Sequence, residues 1–361
     1  NNIRSGIYLN RISFDLFQKM YSDDLDRMQT QLDAKDHSHT VQAFSQWKTR
    51  ISEKLTFIGG VHSLYMKENN RISVEPRAAL KYQYNPKNNI SLGYGLHSQI
   101  QPIGVYHALV ENSDGTSYKP NEKLDFNKAH HIVLGYDHTI NKHLHAKVET
   151  YYQQLYNVAV QDDVTSTVST LNMQDNYITY ALVNQGQGKN YGAELTVEKF
   201  TSNNMYFLLS ASVFESKYKA LDGEWRDTRY NLGKAMTFSA GKEWKVGSVE
   251  KNRVFGFNIR AIYTGGQRRT PINLDESIAS GEEVYNESQA WSLQTKDYFR
   301  TDIRFSLKRN KLHSTNTLSL DLQNATNNKN IGGYYYDKNT ATIKEWFMVP
   351  LIPVLSYRVE F

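Results

Sequence analysis

The last sixteen residues, Trp346 to Phe361, read WFMVPLIPVLSYRVEF and separate by parity. Phe347, Val349, Leu351, Pro353, Leu355, Tyr357, Val359 and Phe361 carry no charge, while the intervening positions end in Ser356, Arg358 and Glu360. A period of two belongs to a β-strand, whose successive side chains point to opposite faces. One face therefore meets an apolar medium and the other meets water. A strand about three times the usual soluble length, stopping on an aromatic residue, predicts the closing strand of an outer-membrane β-barrel.

The pattern recurs along the chain. Phe299, Thr301, Ile303, Phe305 and Leu307 alternate with Arg300, Asp302, Arg304, Ser306 and Lys308. Leu318, Leu320 and Leu322 alternate with Thr317, Ser319, Asp321 and Gln323, and similar rows run through 255–263, 191–198, 146–153, 131–137, 90–97 and 74–83. An Arg or Lys at the bilayer midplane costs about 2–4 kcal/mol, so the charged rows must face a lumen. About fourteen strands are expected. Short polar turns, such as Asn85-Pro86-Lys87-Asn88 and Asn141-Lys142, alternate with long connections at 21–38, 101–128, 161–188, 219–231, 267–296 and 327–345. With Phe361 taken as periplasmic, every long connection falls outside the cell, the outer-membrane arrangement. A soluble β-sandwich would also alternate, but its strands run about five or six residues.

Composition does not oppose this reading. The mean hydropathy is −0.62 and 22% of residues are charged, but alternation of lipid-facing and wet residues cancels in any average. No run of about eighteen apolar residues exists, which excludes a membrane-spanning helix. Cysteine is absent, which excludes disulfides and thiolate metal sites. The net charge of +5 is small for 361 residues and unclustered, so no nucleic-acid partner is expected. Aromatic belts are expected at Tyr65, Tyr152, Tyr191, Tyr263, Phe299 and Phe347 on the outer side, and at Tyr82, Phe305 and Phe361 on the inner side. Leu25, Met28 and Leu32, behind an Asp-rich start, predict a short helix within Ser22–Asp36. Pro350 and Pro353 each remove a ladder hydrogen bond, so the upper half of the terminal strand should be irregular. The chain starts Asn1-Asn2-Ile3-Arg4 with no signal-peptide pattern, as a mature or truncated chain would.

Several stretches resemble one family: SVEPRAALKYQYNPKNNISLGYGLHSQIQPI (Ser73–Ile103), HHIVLGYDH (His130–His138), KVETYYQQLYNVAV (Lys147–Val160), NQGQGKNYGAELTVEK (Asn184–Lys199) and DGEWRDTRYN (Asp222–Asn231). GKEWKVG (Gly241–Gly247), SIASGEEVYNES (Ser277–Ser288), KDYFRTDIRFS (Lys296–Ser306), LDLQNATNNKN (Leu320–Asn330) and Phe361 continue the series. In order and spacing they are similar to the C-terminal part of TonB-dependent outer-membrane receptors of the Bacteroidetes type, which carry a carboxypeptidase-regulatory-like domain before the plug. The resemblance implies that residues 1–361 form the C-terminal portion of a barrel of about twenty-two strands, the size of a plugged transporter, with the plug and TonB box absent here. It also implies energised uptake of a scarce, bulky nutrient: siderophore, haem, cobalamin, oligosaccharide or peptide. TonB would act through an N-terminal segment, outer-membrane lipid would surround the wall, and a surface lipoprotein partner stays open. A passive porin or stand-alone barrel is the alternative.

No catalytic motif is present: neither H-E-x-x-H, G-x-S-x-G nor a P-loop. No enzyme activity, cofactor or metal is expected. His130 and His131 are adjacent, so their rings point to opposite faces and cannot chelate together. His62, His97 and His145 read as pore-lining residues. The one constellation is charged: Arg300, Asp302, Arg304, Asp321, Arg358 and Glu360 share the lumen face of three consecutive strands. Asp302, Asp321, Arg358 and Glu360 are expected in a pairing network. His97, Gln99, Arg260, Arg300 and Arg304 are the candidates to meet a ligand, since an Arg fork suits carboxylate or phosphate groups.

Overall fold

A computed structural model describes residues 1–22, 26–112, 115–248 and 252–361. Fourteen long strands follow one another in a single path: β1 (Asn2–Ser22), β2 (Arg27–Arg50), β3 (Leu55–Met66), β4 (Arg71–Asn85), β5 (Asn88–Gln99), β6 (Asn127–Asn141) and β7 (Leu144–Gln161). The path continues through β8 (Leu182–Ser202), β9 (Met205–Lys219), β10 (Lys234–Val246), β11 (Arg253–Thr264), β12 (Tyr298–Asn310), β13 (Thr315–Gln323) and β14 (Ile352–Glu360). Each is hydrogen-bonded to its sequence neighbours, and the described ladders are antiparallel. Short strands at Trp225–Asp227, Ile331–Asp337 and Thr342–Phe347 and two helices, α1 (Ile103–His107) and α2 (Leu274–Ser280), occupy connections. Asn203 and Asn204 turn β8 into β9 with positive φ at both positions, as a two-residue hairpin loop demands.

The chain divides into two compact units, residues 1–134, 151–191 and 216–228, and residues 135–150, 192–215 and 229–361. In the first unit the registers set Leu9, Val41, Tyr65 and Ile72 in one row, and Ile3, Trp47, Gly59, Ala78 and Tyr94 in another. Directly opposed residues share a face, so between these two rows the face is uncharged across β1 to β5. It is also exposed, with Leu9 at 76% and Ile72 at 64%. The opposite face of the same strands carries Ser38, Thr40, Ser73 and Glu75, all buried. An exposed apolar face backed by a covered polar one inverts the soluble pattern and suits hydrocarbon.

What covers the polar face is a small loop core. Leu64, Met66, Val105, Tyr106, Leu124, Phe126, Ala159 and Leu182 form one buried cluster, flanked by Ile100, Ile103, Met173 and Ile178. Tyr106 of α1 is fully buried, and its hydroxyl accepts from the Gln101 amide at 3.2 Å. Burial pushes that hydroxyl up to about 12.

In the second unit the parity is equally regular. Ala240, Ile259, Ile303, Leu322 and Pro353 stand in one row; Phe257, Phe305, Leu320 and Leu355 form the next. On the other face, Gly241, Asn258, Arg304 and Asp321 align, as do Gly256, Ser306, Ser319 and Ser356. Gly241 lies under the Tyr206 ring, where a Cβ would come within 2.4 Å. Above β11, a Cβ on Gly265 or Gly266 would approach Leu232 O to 1.8 Å or Thr295 O to 1.7 Å, so only glycine lets these chains cross.

Three expectations need correction. Within Ser22–Asp36 the described residues are not helical: Arg27–Asp36 belongs to β2 and pairs with β1 down to Ser22, while Leu25 lies outside the described residues. A helix there would strand the outer β1 amides, whereas the extended hairpin satisfies them and still buries Leu32. The last strand spans Ile352–Glu360 and not Trp346–Phe361; Trp346 and Phe347 end a separate hairpin with Ile331–Asp337. Residues 348–351 leave the ladder around Pro350, as proline's missing amide requires. Phe347 therefore drops out of the outer belt. Two connections are also shorter than expected, since β1, β2 and β8 extend into 21–38 and 161–188. Of the other residues expected in the outer belt, Tyr152 stacks on Tyr191 at 6.4 Å and Tyr263 faces Phe299 across the ladder.

Ile303 sits mid-row between Ile259 and Leu322. Ile303→Arg should cost about 2–4 kcal/mol, against under about 1 kcal/mol for Ser306→Arg on the polar face. Urea titration of the protein folding into bilayers measures both.

Candidate functional site

Alternation along each strand and register between strands together decide which polar side chains meet. In the first unit His62 stands opposite Glu75, with Phe44 on its other side. Its Nδ1 is 3.0 Å from Glu75 Oε2 and its Nε2 is 3.2 Å from Gln42 Oε1. The same Glu75 oxygen accepts from Arg77 at 2.7 Å, and Ser73 Oγ donates to the other at 3.1 Å. Glu75 is only 1% exposed. A carboxylate so placed is tolerable because a cation and two further donors surround it. On β5 the His97 ring folds over Gly95 and meets the His131 ring edge-on at 5.9 Å. Gln153 Nε2 is 3.3 Å from His131 Nε2, and Asn190 donates to Gln153 at 2.9 Å. A polar belt thus runs over β2 to β8.

His130 turns the other way, as adjacency on a strand requires. Its ring stacks between Tyr94 and Tyr156 at 6.1 and 5.2 Å, and its Nδ1 is 3.0 Å from the Tyr94 hydroxyl. Gln99 ends β5, exposed.

The second unit holds the charged constellation. Arg300 Nε donates to Asp302 at 2.7 Å and its terminal nitrogen to Gln323 at 3.2 Å. Asp302 also accepts the Asn324 amide at 2.9 Å. That contact starts the Asn-rich loop: Asn324 donates to Asn328 O and Val349 O, and Asn330 donates to Phe299 O. Arg304 lies 3.5 Å from Asp321 and donates to Ser319 Oγ at 3.1 Å, which in turn is 2.6 Å from Ser356 Oγ. Arg358 pairs with Glu360 at 3.1 Å, away from these contacts at the strand end. His145 pairs with Asp137 at 3.2 Å. Arg260 stands opposite Asp302 and Ser239, exposed, and among the described residues no hydrogen bond or ion pair engages its side chain.

Of the five ligand-facing candidates, His97 and Gln99 lie in the first unit, and Arg260, Arg300 and Arg304 in the second. Arg300 and Arg304 are already engaged by carboxylates; Arg260 is available. The sequence reading passed over Glu75, His131, Gln153 and Asn190. Their parity was legible, but their meeting depends on register across strands. Among the described residues no group of three or more His, Cys, Asp or Glu is placed to hold a metal.

At the outer end of β10 and β12, Asp297 accepts from Lys234 at 2.8 Å and from the Tyr263 hydroxyl at 2.5 Å. Those two donors hold its carboxyl below the usual carboxylate range.

Alternating strands, an exposed apolar face and a covered, charged polar face define the wall of an outer-membrane β-barrel. The family model for the TonB-dependent receptor-like β-barrel matches residues 5–340, and the chain belongs to that family. Among solved structures, 90% of the chain aligns with the pyoverdine receptor FpvA of Pseudomonas aeruginosa (TM-score 0.59, 13% identity, 42% of that chain). It aligns over 99% of its length with the outer-membrane transporter YddB of Escherichia coli (TM-score 0.58, 12% identity, 51% of that chain). It also aligns over 90% with BauA, the ferric preacinetobactin receptor of Acinetobacter baumannii (TM-score 0.57, 12% identity, 44% of that chain). No curated protein matches it in sequence. The chain spans about two-fifths to one-half of the length of these structures. The family resides in the Gram-negative outer membrane, and its members are receptors and transporters, not enzymes.

Glu75→Ala should destabilise the protein by about 3 kcal/mol, because His62 and Arg77 lose their shared carboxylate; denaturant unfolding reads the change. Asp297 has a folded pKa below its unfolded value of about 3.9, so its contribution is complete above that pH and is lost as pH falls through the folded value. The difference in melting temperature between wild type and Asp297→Asn should therefore be constant from neutral pH to about pH 5 and vanish in stronger acid.

Proposed function

We propose that this chain is the C-terminal portion of the barrel wall of an energised receptor, which imports a scarce and bulky anionic nutrient. Membership of the TonB-dependent receptor family across residues 5–340 carries the reading. TonB would act on the receptor through an N-terminal segment outside these residues. The polar belt and the arginine wall would line the path, with His97, Gln99, Arg260, Arg300 and Arg304 facing cargo. Arg260 matters most among them, because its guanidinium is not already committed to a carboxylate. A free Arg fork favours carboxylate- or phosphate-like groups on the cargo. FpvA and BauA are named for pyoverdine and ferric preacinetobactin, which supports a ferric siderophore over haem, cobalamin, oligosaccharide or peptide.

A strain lacking the gene, complemented with the full-length receptor and offered a panel of labelled ferric siderophores, tests this. Uptake of one of them should depend on the receptor and stop when TonB is deleted; uptake that persists without TonB would instead mark a passive porin. Arg260→Gln should weaken binding of that siderophore about tenfold, the loss of one charged hydrogen bond, while the barrel still folds.

A further inference from the structure

We propose that His37 and His39, in the outer half of β2, chelate a divalent transition-metal ion of the zinc type. Adjacent histidines on a strand point apart, as His130 and His131 do. By the same rule, two histidines separated by one residue share a face. His37 stands opposite Ser13 and His39 opposite Arg11. Val41, next on that face, belongs to the apolar row of Leu9, Tyr65 and Ile72. The pair therefore lies about 7–13 Å beyond this row along the strand, and the His37 side chain is 40% exposed.

The two rings meet edge to face, with centroids 5.2 Å apart and planes at 85°. This spacing matches two imidazoles on one ion. A tetrahedral zinc holds each nitrogen at about 2.0–2.1 Å, with the ring centre about 1.1 Å behind it, which sets two ring centres about 5 Å apart. His37 Nδ1 lies 3.3 Å from Asp36 Oδ1, which also accepts the His37 amide at 2.7 Å. A metal-bound imidazole commonly gives its second nitrogen to such a carboxylate, which leaves Nε2 for the ion. Among the described residues no hydrogen bond or ion pair engages the His39 ring. The other histidine pair differs: His97 and His131 are 5.9 Å apart, and Gln153 Nε2 is 3.3 Å from His131 Nε2.

Nearby charge decides the kind of ion. Lys35 is paired with Asp15, and Asp36 acts on both His37 and Lys67, whereas Arg11 faces His39 across the ladder. A cation held by charge and oxygen donors, such as magnesium or calcium, finds little here. Imidazole nitrogen suits zinc, copper and nickel, and water completes the coordination.

Calorimetric titration of the protein in detergent with zinc chloride tests this. Two donors supply roughly half the binding free energy of a four-ligand site, so one zinc per chain should bind with a dissociation constant on the order of 1–100 μM. Millimolar magnesium should not displace it. H37Q and H39Q should each weaken the site at least about tenfold. R11Q should tighten it about threefold, because a like charge is removed. Wild type that binds zinc no tighter than H37Q/H39Q, displacement by magnesium, or R11Q that binds no tighter than wild type would overturn the proposal. The magnesium competition needs no variant to fold, R11Q reads a gain and not a loss, and neither depends on which nutrient is imported.

Discussion

Hydrocarbon offers no partner to an amide or a carbonyl, so each strand that crosses it must lend its backbone to the next. Everything else in this chain follows from that demand. Once β11, β12, β13 and β14 are zipped, each residue's face is set, and a slip of one position would turn Asp302, Arg304 and Asp321 toward lipid. The ladder and the alternation therefore enforce one another. Proline marks where the demand relaxes: around Pro350 the chain leaves the sheet before β14 resumes it.

The polar face solves a second problem, that of keeping charge where little water reaches. Glu75 is tolerated because His62, Arg77 and Ser73 converge on it, and Arg300 is tied to Asp302 and Gln323. These groups brace the wall and link it to its connections, most plainly where Asp302 takes the Asn324 amide of the Asn-rich loop. A side chain left out of such pairing, as Arg260 is, gives up nothing by meeting a ligand.

The strands were legible because alternation is local: two residues in sequence already reveal which faces lipid. The errors arose where a short pattern fitted two structures. Leu25, Met28 and Leu32 have helical spacing, yet Met28 and Leu32 sit on a strand, because β1 offered a ladder that no local signal announces. Trp346 and Phe347 continue the parity of β14 but pair instead with Ile331–Asp337. The shared face of Arg300 and Arg304 is legible in the sequence because parity along one strand sets it; the His62–Glu75 pair is not, because it depends on register between strands.

The sequence by itself determined the class of fold and the polarity of each face, because a side-chain period of two and the cost of charge in lipid act residue by residue. Only the tertiary structure decided who meets whom: that His62 finds Glu75, that Arg300 is occupied while Arg260 is free, and that Arg11 faces His39. Those meetings depend on the register of hydrogen bonds between strands, a non-local quantity that no window of sequence contains.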